Sequence, residues 1–190
     1  IGGESGVGKS RLLEELRTLA LVRGARVERG QAITEAHSAY QIFLDVLRSL
    51  SLSLSLSPLE ERTLLSVLPE LPTLLGHEIA PPPELEPHAA RARLQTVLSE
   101  LLLRSTTPTV LILEDLHWAA VESRELLRRL LPVLPERPLL ILASYRDDES
   151  PQLPRELPGA RLLPLARLGP RDVDALVTSM LGPQGGRSEL

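Results

Sequence analysis

Apolar residues along the chain fall into two periods, and the change between them outlines the elements. At helical spacing, Leu12, Leu13, Leu16, Leu19 and Ala20 mark a first helix, with Gly24 placed to close it as a left-handed C-cap. Ala25 to Arg29 reads as a short strand. Tyr40 to Leu50, carrying Ile42, Phe43, Val46, Leu47 and Leu50, reads as a second amphipathic helix. Leu50 to Ser57 alternates Leu and Ser with the period of a strand, yet its low complexity and the following Pro58 favour a helix extension or loop. From Pro58 to Pro87 helical fragments are interrupted by Pro69, Pro72 and Pro81-Pro82-Pro83, because each proline disfavours the helical conformation of the residue before it. Residues of about 50–87 are therefore expected to form a helical insert and linker.

Leu94, Val97, Leu98, Leu101 and Leu102 form an unbroken helical stripe that ends before Thr106-Thr107-Pro108. Two continuous apolar runs follow, Thr109 to Leu113 and Leu139 to Ala143, of the kind expected in strands buried on both faces. Leu126, Leu127, Leu130 and Leu131 place a helix between them, stopping at Pro132, so the order is strand, helix, strand. That is a βαβ unit, and it predicts an α/β fold around a parallel sheet. Arg161 to Leu165 reads as an edge strand tolerating Pro164. Pro170 opens a last helix with Val173, Leu176, Val177, Met180 and Leu181 on one face, closed by Gly182. One domain over residues 1–181 and a frayed tail over 182–190 are expected.

Composition narrows the function classes. At 190 residues and 43% hydrophobic, the chain can bury a core without staples. It has no cysteine, which excludes disulfides, thiolate metal sites and a cysteine nucleophile, and which allows a cytoplasmic location. A net charge of −4 and 2% aromatic residues provide neither a basic footprint nor stacking rings, so direct nucleic-acid binding is not expected. No signal peptide or membrane segment is visible. No G-x-S-x-G elbow supports serine hydrolase chemistry.

Gly3-Glu4-Ser5-Gly6-Val7-Gly8-Lys9-Ser10 fits G-x-x-x-x-G-K-[ST] and runs directly into a helix at Arg11. Such a loop curls its amides around phosphate oxygens, and the helix start adds its positive dipole end. Lys9 is expected to reach the β- and γ-phosphates of ATP, and the Ser10 hydroxyl to ligate Mg²⁺. Lysine and arginine together number 21, and Lys9 is the sole lysine among them. The chain's one compact ammonium thus stands where a planar guanidinium fits badly.

Val110 to Leu113 leads into Glu114-Asp115, a buried strand ending in two acids, as a Walker B segment does. Glu114 occupies the position expected of the metal-side acid and Asp115 that of the base, and both are candidate Mg²⁺ ligands. Arg146, beyond the second buried strand, is a candidate sensor of γ-phosphate charge. The alternative is a salt bridge to Asp147, Asp148 or Glu149. His117 and Trp118 read as local packing and positioning, and His37, His77 and His88 as surface residues.

Gly3 to Leu16, Leu111 to Ala119 ("LILEDLHWA") and Leu142 to Arg146 together resemble the AAA-type, origin-recognition-like ATPase module of STAND NTPases. The resemblance spans Ile1 to Leu181. It implies a three-layer P-loop NTPase of the ASCE type, with an extra strand between the Walker A and Walker B strands and helices on both faces. It further implies an ATP-driven conformational or oligomerisation switch. In that family the module sits in large bacterial regulators beside covalently linked output and sensor domains, and Arg146 matches its sensor arginine. The chain departs from the pattern at Ala120, where aspartate is usual, in having Glu-Asp for Asp-Asp, and in stopping before the lid.

The leading expectation is an ATP/ADP-controlled, slowly hydrolysing regulatory module that could form homo-oligomers. A small-molecule P-loop kinase using Arg91, Arg93 or Arg104, and a nucleotide-binding scaffold without turnover, are the alternatives.

Overall fold

A computed structural model describes residues 1–34, 38–82 and 84–181. The elements run α1 (Lys9–Val22), β1 (Arg26–Gln31), α2 (Leu44–Ser53), α3 (Pro58–Leu64), α4 (Leu71–Leu75), α5 (Pro87–Leu103), β2 (Thr109–Glu114), α6 (Val121–Leu130), β3 (Leu139–Ala143), α7 (Leu153–Glu156) and α8 (Pro170–Leu181). Short 3₁₀ turns precede α2, follow β2 and follow α6.

The sheet is parallel in the order β1-β2-β3. It continues past β3 by single bridges, first from Tyr145 to Gly2 and then from Gly2 to Pro164. Ile1 N donates to Ala143 O at 2.6 Å, Tyr145 N to Ile1 O at 3.1 Å, and Leu165 N to Gly2 O at 2.7 Å. The strand stub that enters the glycine-rich loop thus lies beside β3, and β3 separates it from β2. The inserted strand implied by the resemblance is β3.

β2 is buried along its whole length, and its alternating side chains feed two cores. Val110 and Ile112 meet Leu13 of α1 on one face. Leu111 and Leu113 join the larger core on the other, with Phe43, Leu47, Leu98, Leu101 and Leu127. Burying each such side chain stabilises the fold by roughly 1.5–3 kcal/mol.

Four expectations shift. The first strand runs Arg26–Gln31 rather than Ala25 to Arg29, because Arg29 and Gln31 find partners across the sheet in Glu114 and Asp115. The second helix starts after Tyr40, which takes a left-handed conformation at φ 62°, and a 3₁₀ turn at Gln41–Phe43 leads into α2. β3 is not buried on both faces: α1 packs chiefly against β1 and β2, and Leu140 stays 55% exposed. Residues 161–165 form a single bridge rather than a strand.

Residues 58–75 carry α3 and α4; Leu64, Leu71 and, in the turn between the two helices, Leu68 are fully buried in the larger core. Ser57 caps α3 in a reciprocal box with Glu60, and Arg104 at the end of α5 holds Glu60 in turn. α8 forms as expected, with Val173 and Leu176 exposed. Gly182, the tail over 182–190 and His37 lie outside the described residues.

Candidate functional site

The loop from Gly3 to Gly8 joins the strand stub to α1 at the C-terminal edge of the sheet, where open α/β sheets bind ligands. Gly8 sits at φ 101°, a conformation closed to other residues without strain, and it is the N-cap of α1. As a glycine it has no side chain to cap the helix, and the first turn of α1 holds no acidic residue. Among the described residues, the Ser5, Gly6 and Gly8 amides donate to no protein acceptor. This is a set of free donors at a helix N-terminus, the arrangement that takes an anion.

Lys9 is buried, and its Nζ donates to Gly3 O and Glu4 O, each at 2.6 Å. The ammonium therefore lies folded back over its own loop. Ser10 is exposed on the first turn, and Arg11 points away to pair with Glu15. Glu4 is paired with Arg167, 3.0 Å away on the segment beyond the Pro164 bridge.

Glu114 ends β2, is only 4% exposed, and lines one pocket with Ser10, Glu14, Arg17 and Arg29. Arg29 Nε donates to Glu114 Oε1 at 2.7 Å, and a second guanidinium nitrogen contacts the same oxygen. Asp115 follows at φ 56°, so its carboxylate leaves the strand direction. Gln31 Nε2 donates to Asp115 Oδ2 at 3.1 Å, and the Asp115 amide donates to Ser144 Oγ at 3.3 Å. The two acids are thus gripped by different residues of β1. Sequence reading missed both, although their alternation with Gly30 puts Arg29 and Gln31 on one face of β1.

Arg146 is engaged by Glu149, with Nη1 to Oε1 at 2.5 Å, and its guanidinium carbon lies 5.2 Å from the centre of the Trp118 ring. Of the three acids considered for it, Glu149 is the partner. Trp118 Nε1 donates to the other oxygen of Glu149 at 3.2 Å. The His117 side chain is buried, and its Nδ1 accepts from the Arg146 amide at 3.4 Å. Its Nε2 lies 3.4 Å from Glu149 Oε2 without hydrogen-bond geometry. Burial pushes the His117 pKa down; the Glu149 and Asp115 carboxylates oppose that, and Arg146 and Lys9 add to it. His77 and His88 are exposed, His77 beside Glu61.

A family model described as AAA ATPase domain matches residues 1–142. The chain belongs to the AAA ATPase domain family. Comparison with curated proteins gives no match. Membership carries nucleotide binding and, typically, Mg²⁺. The donors of this AAA domain fit that ion: a serine hydroxyl and a buried carboxylate face one pocket, and no cluster of three or more metal-ligating side chains occurs among the described residues. Mg²⁺ is commonly held in that way, by one or two carboxylates with waters and substrate phosphates rather than by a protein cage. Ala120, where the resemblance has aspartate, is the N-cap of α6 and provides no side-chain cap. None of the described helices is long and apolar enough to cross a membrane.

Proposed function

We propose that this AAA domain is a Mg²⁺-dependent, slowly hydrolysing ATP switch of a STAND-type signalling or transcriptional regulator. One observation carries the reading: the uncapped loop with Lys9, the paired acids Glu114 and Asp115, and Arg146 converge on the same edge of the sheet. In this reading the free amides of the loop bind the phosphates, and Lys9 exchanges its two carbonyl acceptors for phosphate oxygens. Ser10 and Glu114 would hold Mg²⁺, which would supply compensation for phosphate charge. Asp115, oriented by Gln31 and Ser144, accepts a proton from the attacking water.

Arg146 supplies the switch. Parked on Glu149 and Trp118, it moves toward the γ-phosphate when ATP is bound and returns after hydrolysis. Output and sensor domains linked to the module, a homo-oligomeric active state and a cytoplasmic setting belong to the same reading. The boundary of the domain near residue 181 does too. Of the arginines a kinase could use, Arg104 is committed to Glu60 at the opposite end of β2 from Glu114, and Arg91 is paired with Glu125.

Phosphate release and ATP binding, measured together for the wild type and Asp115→Asn, test the proposal. The variant keeps ATP binding and loses roughly 10²-fold or more of the turnover, as removal of a general base does. Binding without phosphate release in the wild type identifies a scaffold, and equal thermal stabilisation by ATP and ADP rules out the switch.

A further inference from the structure

We propose that Arg29 sets how strongly nucleotide binding depends on Mg²⁺: it is the counter-cation of Glu114 in the metal-free domain, and it yields that carboxylate by turning to Glu14. The inference rests on the reading of Glu114 as the metal-side acid.

The sheet register creates the contact. Gln31 is opposite Glu114 and Arg29 opposite Ile112, so Arg29 and Glu114 project from the face that α1 covers. Glu114 is nearly excluded from water, and burying a charged side chain is costly unless it is paired and hydrogen-bonded. Arg29 is that cation, with two nitrogens on one oxygen of Glu114. Ser10 lines the same pocket, so the carboxylate that Arg29 occupies is the one that would share a metal with the Ser10 hydroxyl. One carboxylate cannot give full charge compensation to both.

A second station for the guanidinium is already in place. Arg29 Nη1 lies 3.9 Å from Glu14 Oε2 on α1, while Glu14 Oε1 accepts from Arg17 at 2.8 Å. Arginine suits this role because its planar fork spans two carboxylates at once, which an ammonium cannot do. A small rotation transfers Arg29 from the buried acid to the half-exposed one without leaving either bare.

The test is the affinity for ADP and for ATP measured by calorimetry with excess Mg²⁺ and again with EDTA, giving for each protein the ratio of the dissociation constant in EDTA to that in Mg²⁺. Arg29→Gln raises the ratio about tenfold, since an adjacent opposite charge shifts a carboxylate's affinity for a competing cation, such as the proton, by one to three decades. Glu14→Gln, a change at a half-exposed position of the pocket wall, removes the second station and lowers the ratio. A purely structural defect weakens both arms alike and leaves the ratio unchanged. Nucleotide binding with an unaltered ratio in both variants overturns the proposal, as does a ratio that falls in Arg29→Gln. Absence of nucleotide binding by the wild type overturns the underlying assignment of the site instead. If Arg29→Gln does not fold, an unaltered ratio in Glu14→Gln overturns the proposal by itself.

Discussion

Replacing Gly30 with alanine attacks the element that grips both acids. A Cβ at this position would lie 1.8 Å from the carbonyl oxygen of Ile42 and 3.0 Å from its carbon. Both belong to backbone, so no side chain can rotate away. Restoring an ordinary contact requires β1 and the 3₁₀ turn at Gln41–Phe43 to separate by about 1.5 Å. Ile42 and Phe43 are fully buried, and their packing opens with that movement. Overpacking of this kind costs about 3 kcal/mol, which in a domain of this size lowers Tm by about 6–12 °C. Because Arg29 and Gln31 flank Gly30, the same displacement withdraws them from Glu114 and Asp115, and ATP affinity falls with stability. Gly24→Ala is the control: its Cβ would meet nothing, and the φ of 77° alone costs about 1 kcal/mol. Thermal melts followed by circular dichroism measure both. A Gly30→Ala melt no lower than that of Gly24→Ala would refute the close approach.

Further expectations follow from individual contacts. Burial alone would raise the Glu60 pKa, but its bonds from Arg104 and Ser57 outweigh that and hold it below the usual 4.5. Its stabilisation is therefore complete above that value and is lost as pH falls below it; Glu60→Gln lowers stability by about 2 kcal/mol near neutrality and flattens the acid limb of a pH–melting curve. Trp118 is the sole tryptophan, and Glu149→Gln frees Arg146 from beside it. The variant's emission without nucleotide should approach that of the ATP-bound wild type, and an unchanged spectrum counts against the parked arginine. Ala120→Asp supplies the missing cap of α6 and should raise stability by about 1 kcal/mol, readable as a Tm increase of about 2–4 °C.

What was legible in the sequence was local. The loop from Gly3 to Ser10 carries its chemistry in eight consecutive residues, and β2 announces itself because Val110 to Leu113 is buried on both faces by its position in mid-sheet. β1 was harder to read. Its Arg26, Glu28, Arg29 and Gln31 are stabilised by partners far along the chain, Ser49, Glu114 and Asp115 among them, and one strong hydrophobe, Val27, is too little for a periodicity. β3 shows the reverse error. Leu139 to Ala143 has the composition of a fully covered strand, but α1 is too far toward β1 to cover Leu140. Arg29 and Gln31 escaped notice for the same reason as β1 itself: strand parity assigns them a face only once the neighbouring strand and its register are known.

In the proposed reading Gly3 to Ser10, with Lys9, form a phosphate cradle working with Mg²⁺. Calorimetric titration of ATP into the wild type and Lys9→Ala, with and without Mg²⁺, tests it most directly. Loss of an ammonium that would face the phosphates at about 4 Å is worth roughly 2–3 kcal/mol after its present bonds to two carbonyls are offset. Mg²⁺-enhanced binding by the wild type and about 10²-fold weaker binding by the variant are expected. Equal affinity of the two proteins for ATP would contradict that reading.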